Sequence, residues 1–103
     1  MENIFIIRNK DVKRVLMGVP KGHKHHRCVI ELKDGKFLIF HEATIANIVR
    51  AYVTIKTHPQ KQAIELLCKE LKDKKPGFAT YQLLEAEKNE NEILGELEKI
   101  LVN

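Results

Sequence analysis

Two short apolar runs separated by Asp34-Gly35 constrain the fold most strongly. Residues 27–33 and 36–41 have strand-like composition, and an Asp-Gly pair between such runs is typical of a two-residue type I′ hairpin. This turn would place Cys28 opposite His41 on neighbouring strands. Because side chains alternate along a strand, one face of the hairpin is predicted to face the core, and it carries Cys28, Ile30, Leu32, Phe37, Ile39 and His41.

Three other segments favour strands. Residues 4–7 are β-branched and aromatic, which predicts a buried strand. Residues 12–19 favour a strand paired with that first one, although a helical turn after Asp11 also fits the pattern. Residues 78–86 alternate apolar and polar side chains, which favours a strand while leaving a helix open.

Helical periodicity appears in three places. An apolar stripe from Ile45 to Ile55 predicts an amphipathic helix that starts near Glu42 and ends at His58-Pro59. A second helix is predicted to start at Pro59 and to end with the lysines before Pro76-Gly77. A third helix is predicted after Asn89, because Asn89 and Glu92, three residues later, resemble a helix-capping pair. The predicted buried stripe of the second helix is Ala63, Ile64, Leu67, Cys68 and Leu71.

These elements together predict an α+β fold, with a small, mostly antiparallel sheet that includes a 27–41 hairpin and packs against about three helices. At 103 residues with 44% hydrophobic composition, the chain is expected to form one α+β domain over residues 1–103. No apolar stretch is long enough to span a bilayer, and no secretory signal pattern is present, so a cytoplasmic location without a membrane partner is expected. Cys28 and Cys68 are expected to be free, buried thiols.

Charge is distributed unevenly along the chain. Residues 1–78 carry 16 Lys and Arg against 8 Asp and Glu, whereas residues 79–103 carry 2 against 6. A basic body with an acidic tail is consistent with a nucleic-acid surface. It is equally consistent with a homo-oligomer in which the acidic final helix, residues 89–103, docks on the basic body of another copy.

The most unusual segment is KGHKHHRC, residues 21–28. Glycines at 18 and 22 allow backbone N–H groups to face outward, and imidazole gains positive charge on acidification, so the segment suits phosphate better than metal. It lacks the spacing of a phosphate-binding P-loop, and the neighbouring strands lack the aromatic pair that stacks on RNA bases. The residues predicted to bind an anion or nucleic acid are Lys21, His23, Lys24, His25, His26 and Arg27.

Other interpretations of these side chains stay open. The segment can be a solvated loop, or its histidines with Cys28 can form a metal site, although the interleaved cations oppose a divalent metal. Cys28 opposite His41 is the minimal nucleophile–base pair, but its predicted position on the core face favours packing. Arg50 lies on a polar helix stripe with Asn47, Thr54 and His58; such a stripe is usually a solvent face, yet Arg50 can contribute to an anion site.

The sequence therefore predicts a non-catalytic binding module that contacts a phosphate-bearing partner, RNA in preference to DNA, without a cofactor. The alternatives are a homo-oligomeric structural or interaction protein and, third, a small enzyme or metal-binding protein that uses Cys28 and His41 or the histidine cluster.

Overall fold

The computed structural model describes residues 3–102 and places five strands, two α-helices and a short 3-10 turn within that range. The chain divides into two compact units, one ending at Ile45 and the other starting at Ala46, and each is described by itself. The predicted α+β class is confirmed. The expectation of about three helices is wrong, because residues 3–102 contain two. The expectation that residues 1–103 form a single domain stays a prediction.

The first unit contains a three-stranded antiparallel sheet. Its strands are β1 (Val12–Gly18), β2 (Arg27–Leu32) and β3 (Phe37–His41), arranged in the order β1-β2-β3. A 3-10 turn at Asn9–Asp11 leads into β1. The strand predicted at residues 12–19 is thus confirmed over Val12–Gly18, but it pairs with β2 and not with residues 4–7.

The strand predicted at residues 4–7 is wrong. This segment has no strand pairing, and its side chains are exposed to a large extent, with Phe5 at 76%. A β-branched composition fits a half-buried pleated surface, but the segment forms a strand only where it pairs with another strand. In the β1-β2-β3 sheet the outer edges of β1 and β3 pair with no other strand of residues 3–102, and residues 4–7 do not extend the sheet at either edge.

The 27–41 hairpin is confirmed, but its predicted register is wrong by one residue. Cys28 pairs with Phe40, and Arg27 pairs with His41. The loop contains three residues, Lys33 to Gly35, because the Leu32 N–H donates to the Lys36 carbonyl at 2.9 Å. A type I′ turn needs positive φ at both central residues, whereas Gly35 has a φ of 94° and Asp34 does not have a positive φ.

The one-residue shift exchanges the two faces of β3. Leu38 and Phe40 are the half-buried residues of this strand, while Phe37, Ile39 and His41 are exposed. The predicted core face is therefore correct for β2, where Cys28 is 5% exposed, and wrong for β3.

The second unit carries most of α1 (Glu42–Thr57), then β4 (Leu66–Glu70), β5 (Tyr81–Glu85) and α2 (Glu90–Val102). The helix predicted to end at His58-Pro59 and the strand predicted within residues 78–86 are both confirmed. The helix predicted after Pro59 is wrong, because β4 forms an antiparallel pair with β5. The Leu71 N–H and the Ala86 N–H extend this ladder at both ends, at 2.7 and 2.9 Å, so pairing satisfies backbone groups that a helix would otherwise satisfy internally.

The final helix begins as its sequence predicts. The Asn89 side chain accepts a hydrogen bond from the Asn91 N–H at 2.7 Å, which satisfies one of the free N–H groups of the first turn. Ile93 is buried, but Leu101 at the other end of the same stripe is 70% exposed. The apolar face of α2 is therefore covered near its start and uncovered near its end.

The interior of the second unit is thin and partly polar. Among its described residues, Asn47, Ala63 and Ile93 are buried. Asn47 belongs to the stripe predicted to face solvent, yet it is 7% exposed and its amide donates to the Gln82 side chain at 3.1 Å. Turning this polar side inward directs the apolar stripe of α1 outward.

Candidate anion-binding loop

The connection between β1 and β2 carries the predicted anion-binding side chains. It is called here the basic loop, residues 20–26, and Arg27 follows it as the first residue of β2. The His23 N–H donates to the Pro20 carbonyl at 3.0 Å, which closes a four-residue turn. Gly22, the third residue of this turn, has a φ of 86°, the conformation that a type II turn requires at that position. The glycine thus allows the chain to reverse and to present Lys21 and His23 on its outer side.

His26 anchors the basic loop to the start of α1. Its backbone N–H donates to Glu42 Oε1 at 2.7 Å, and its Nδ1 lies 2.8 Å from the same oxygen. A carboxylate only accepts, so Nδ1 carries a proton in this pair. The backbone hydrogen bond from His26 makes the largest contribution and its side-chain hydrogen bond the next, and together they hold the pKa of the Glu42 carboxyl below its ordinary value. One ring nitrogen of His26 is thus hydrogen-bonded to Glu42, and the other, Nε2, can contact a ligand.

The Arg27 side chain donates hydrogen bonds to backbone carbonyls of the loop. Its Nη1 donates to the His26 carbonyl at 3.1 Å and, at the longer distance of 3.5 Å, to the His25 carbonyl. The residue is half-buried. Arg27 therefore holds the backbone of the loop, and its other guanidinium N–H groups make no hydrogen bond with residues 3–102.

The remaining basic side chains point to solvent. Lys21, His23 and Lys24 are exposed, and their side chains make no hydrogen bond or ion pair with any residue from 3 to 102. His25 is exposed as well, and its charge contributes to lowering the pKa of Glu42. Four cationic or protonatable groups therefore share one short bend, which contacts the carboxylate of Glu42 through His26.

Arg50 belongs to the other compact unit. It lies on α1 and is exposed, and its backbone carbonyl accepts a hydrogen bond from the Thr54 hydroxyl at 2.8 Å. Its part in anion binding stays a prediction.

The thiol–imidazole pair that the alternative catalytic interpretation requires, between Cys28 and His41, is not formed. Cys28 lies opposite Phe40, and His41 projects to the other face of the sheet, since neighbours on a strand alternate. Cys28 is buried, whereas Cys68, expected to be buried, is exposed. Within residues 3–102, no three side chains of His, Cys, Asp or Glu lie together as a metal site requires.

Sequence reasoning missed a groove beside the hairpin loop. Its volume is about 570 Å³, and the apolar residues 4–7 form one wall. Lys36 and Phe5 both line it, and the Lys36 ammonium lies 5.7 Å from the centre of the Phe5 ring. The signal for it was the apolar run at residues 4–7, interpreted as a strand. The lining residues are Ile4, Phe5, Ile6, Ile7, Arg8, Lys10, Asp11, Leu32, Lys33, Asp34, Lys36 and Leu38.

Comparison with known proteins gives no relative from which a role could be transferred. No family model matches the chain, and neither a curated protein nor a solved structure matches it at a significant level. Neither α-helix within residues 3–102 has the length and apolar content that a membrane crossing requires.

Proposed function

We propose that the chain is a non-catalytic binding module that contacts the phosphate groups of a partner through the basic loop, with RNA as the favoured partner. The observation that carries the proposal is a set of exposed side chains that have no partner among residues 3–102: Lys21, His23 and Lys24, with His25 beside them. Charges left unpaired on one bend attract a polyanion, because neutralising phosphates releases counterions from it.

The local geometry supports phosphate contact over base reading. The loop is a tight turn, and residues 20–27 contain no Phe, Tyr or Trp side chain on which a base could stack. Contacts to phosphate position a nucleic acid without specifying its sequence. RNA is favoured because the ribose 2′-hydroxyl both donates and accepts hydrogen bonds, which suits a loop rich in imidazole groups.

His26 and Arg27 have a positioning role in this proposal. His26 ties the loop to Glu42, and Arg27 holds two loop carbonyls. Both contacts fix the bend before a ligand arrives, which lowers the entropy lost on binding. Lys21 and Lys24 then supply the largest share of the pH-independent charge.

The test measures fluorescence anisotropy of labelled single-stranded RNA over a series of salt concentrations. The variant Lys21→Glu/Lys24→Glu removes two phosphate contacts, so the slope of log affinity against log salt is expected to become shallower by about 1.4. Affinity at low salt is expected to fall roughly tenfold or more. A single-stranded DNA of the same sequence tests the preference for RNA.

The matched control is Lys72→Glu/Lys74→Glu, which changes the net charge by the same amount at two exposed lysines of the second unit. Unchanged binding by this control, with loss in the loop variant, supports the basic loop as the contact surface. Equal losses in both would show that general charge and not the loop attracts RNA. Absence of salt-dependent binding to RNA and DNA alike would refute the proposal.

A further inference from the structure

Both helices of the second unit expose an apolar face. On α1 the exposed fractions are 46% for Ile48, 49% for Val49, 62% for Tyr52 and 48% for Val53. Their spacing of one, three and four residues places these side chains on one side of the helix. Asn47 occupies the opposite, buried side.

The corresponding face of α2 lies in its last two turns. Leu97, Ile100, Leu101 and Val102 are 46%, 52%, 70% and 84% exposed. The first three continue the stripe that Ile93 begins, and Ile93 is buried. An apolar stripe that is covered at one end and open at the other lacks a packing partner for its open half.

The two faces carry opposite charge. Residues 46–57 of α1 contain Arg50 and Lys56 and no acidic residue, and Lys56 follows Tyr52 by four positions, so it lies on the apolar face. On α2, Glu96 and Glu98 flank Leu97 on its two sides. Glu96 is paired with Lys88, whereas the side chains of Lys56 and Glu98 have no partner among the residues that the structure describes.

The area of the two faces matches what a dimer needs. With roughly 100 Å² of exposed surface for each of the eight apolar residues, one copy offers about 800 Å², the contribution of each partner to a standard-size interface. A contact between two α2 faces would bring glutamates together, so charge favours α1 against α2. Two such contacts form at once when two copies are related by a two-fold axis.

We infer that a second copy of this chain covers these faces: α2 of each copy packs on the exposed face of α1 of the other, and Lys56 of one copy pairs with Glu98 of the other. The interface buries apolar side chains that are exposed in the single chain. The ion pairs at its rim set which helix meets which, since exposed ion pairs add little stability and like charges in contact oppose association.

Sedimentation velocity on the full chain tests this inference. The wild-type chain is expected to have about twice the monomer mass of 11.9 kDa, with dissociation on dilution. Leu97→Ser/Leu101→Ser is expected to give the monomer mass. Phe78→Ser, which removes an equally exposed apolar side chain outside both faces, is expected to leave the dimer intact.

Charge reversal tests which helices meet. Lys56→Glu and Glu98→Lys are each expected to weaken association at least tenfold, and the double variant is expected to restore it. Lys72→Glu serves as the charge control, and circular dichroism confirms that each variant is folded. A wild-type chain that stays monomeric, a dimer that survives the two leucine substitutions, or a double variant that fails to restore association would each overturn the inference.

Discussion

The three-residue hairpin loop leads to a sharp prediction about Gly35. Its φ of 94° lies in the left-handed region, and a Cβ added there meets no atom within 4 Å. Gly35→Ala should therefore be destabilising through backbone strain alone, without a steric clash. Left-handed backbone costs an L-residue about 1–2 kcal/mol, and the lower entropy of the unfolded alanine chain offsets part of this cost. The free energy of unfolding is therefore expected to fall by about 1 kcal/mol.

Urea unfolding followed by circular dichroism, at one protein concentration, measures this loss. The control is Gly18→Ala in β1, where φ is not in the left-handed region and a Cβ again meets nothing within 4 Å. This control is expected to be neutral or to add up to about 1 kcal/mol of stability. Gly35→Asn should lie between Gly35→Ala and wild type, because asparagine tolerates the left-handed region better than alanine.

A substitution at Asp34 separates the two possible loops. In a type I′ turn Asp34 would have positive φ, and Asp34→Gly would stabilise the hairpin. In the observed loop Asp34 lacks positive φ, and its carboxylate accepts the Lys36 N–H at 3.0 Å, so Asp34→Gly should destabilise it. A stabilising Asp34→Gly, or a Gly35→Ala whose effect equals that of Gly18→Ala, would refute the reasoning.

Two further predictions concern the loop anchor and the inner face of β2. Because hydrogen bonds from His26 lower the pKa of Glu42, the anchor should be present at neutral pH and be lost as the pH falls below the ordinary glutamate value of about 4.3. The backbone amide of His26 should report this transition in an NMR titration, and Glu42→Gln should abolish it; an unchanged titration in the variant would contradict the pairing. Thiol labelling of the native chain should modify exposed Cys68 quickly and Cys28, 5% exposed, only on unfolding. Fast modification of Cys28 would argue against its place on the inner face of β2, and Cys68→Ser supplies the control that isolates its signal.

The basic loop was predictable to a large extent, because its exposure follows from its own composition. Four positively charged or protonatable groups beside glycine and proline cannot be buried without partners, and the structure leaves Lys21, His23 and Lys24 in solvent. The contact between His26 and Glu42 was not predictable, since 16 residues separate them and no pattern links them. The grouping of Arg50 with the loop was a spatial hypothesis that the helix position alone does not establish.

Local chemistry explains which parts of the fold the sequence determined. α1 ends before His58-Pro59, because the proline ring restricts the residue that precedes it. α2 starts after Asn89, because the Asn89 side chain caps the first turn. The helix that Pro76-Gly77 would end does not form, and these two residues lie in the loop between β4 and β5, where Gly77 has a φ of 90°. The signals at His58-Pro59 and Asn89 need no distant partner, and both of these boundaries are confirmed.

Tertiary pairing decided the rest. Residues 66–70 carry a pattern that fits a helix stripe and a strand alike, and they became β4 because β5 offered a matching edge. The hairpin register followed from the three residues of the loop, and one residue of shift determined that Phe40 and not His41 faces Cys28. The inward side of α1 carries Asn47, whose side-chain amide donates to the side chain of Gln82, 35 positions away, a contact that no local pattern predicts. A sequence states which faces a segment has, but the free energy of burying one of them depends on the surface that meets it, and that surface exists only in the folded chain.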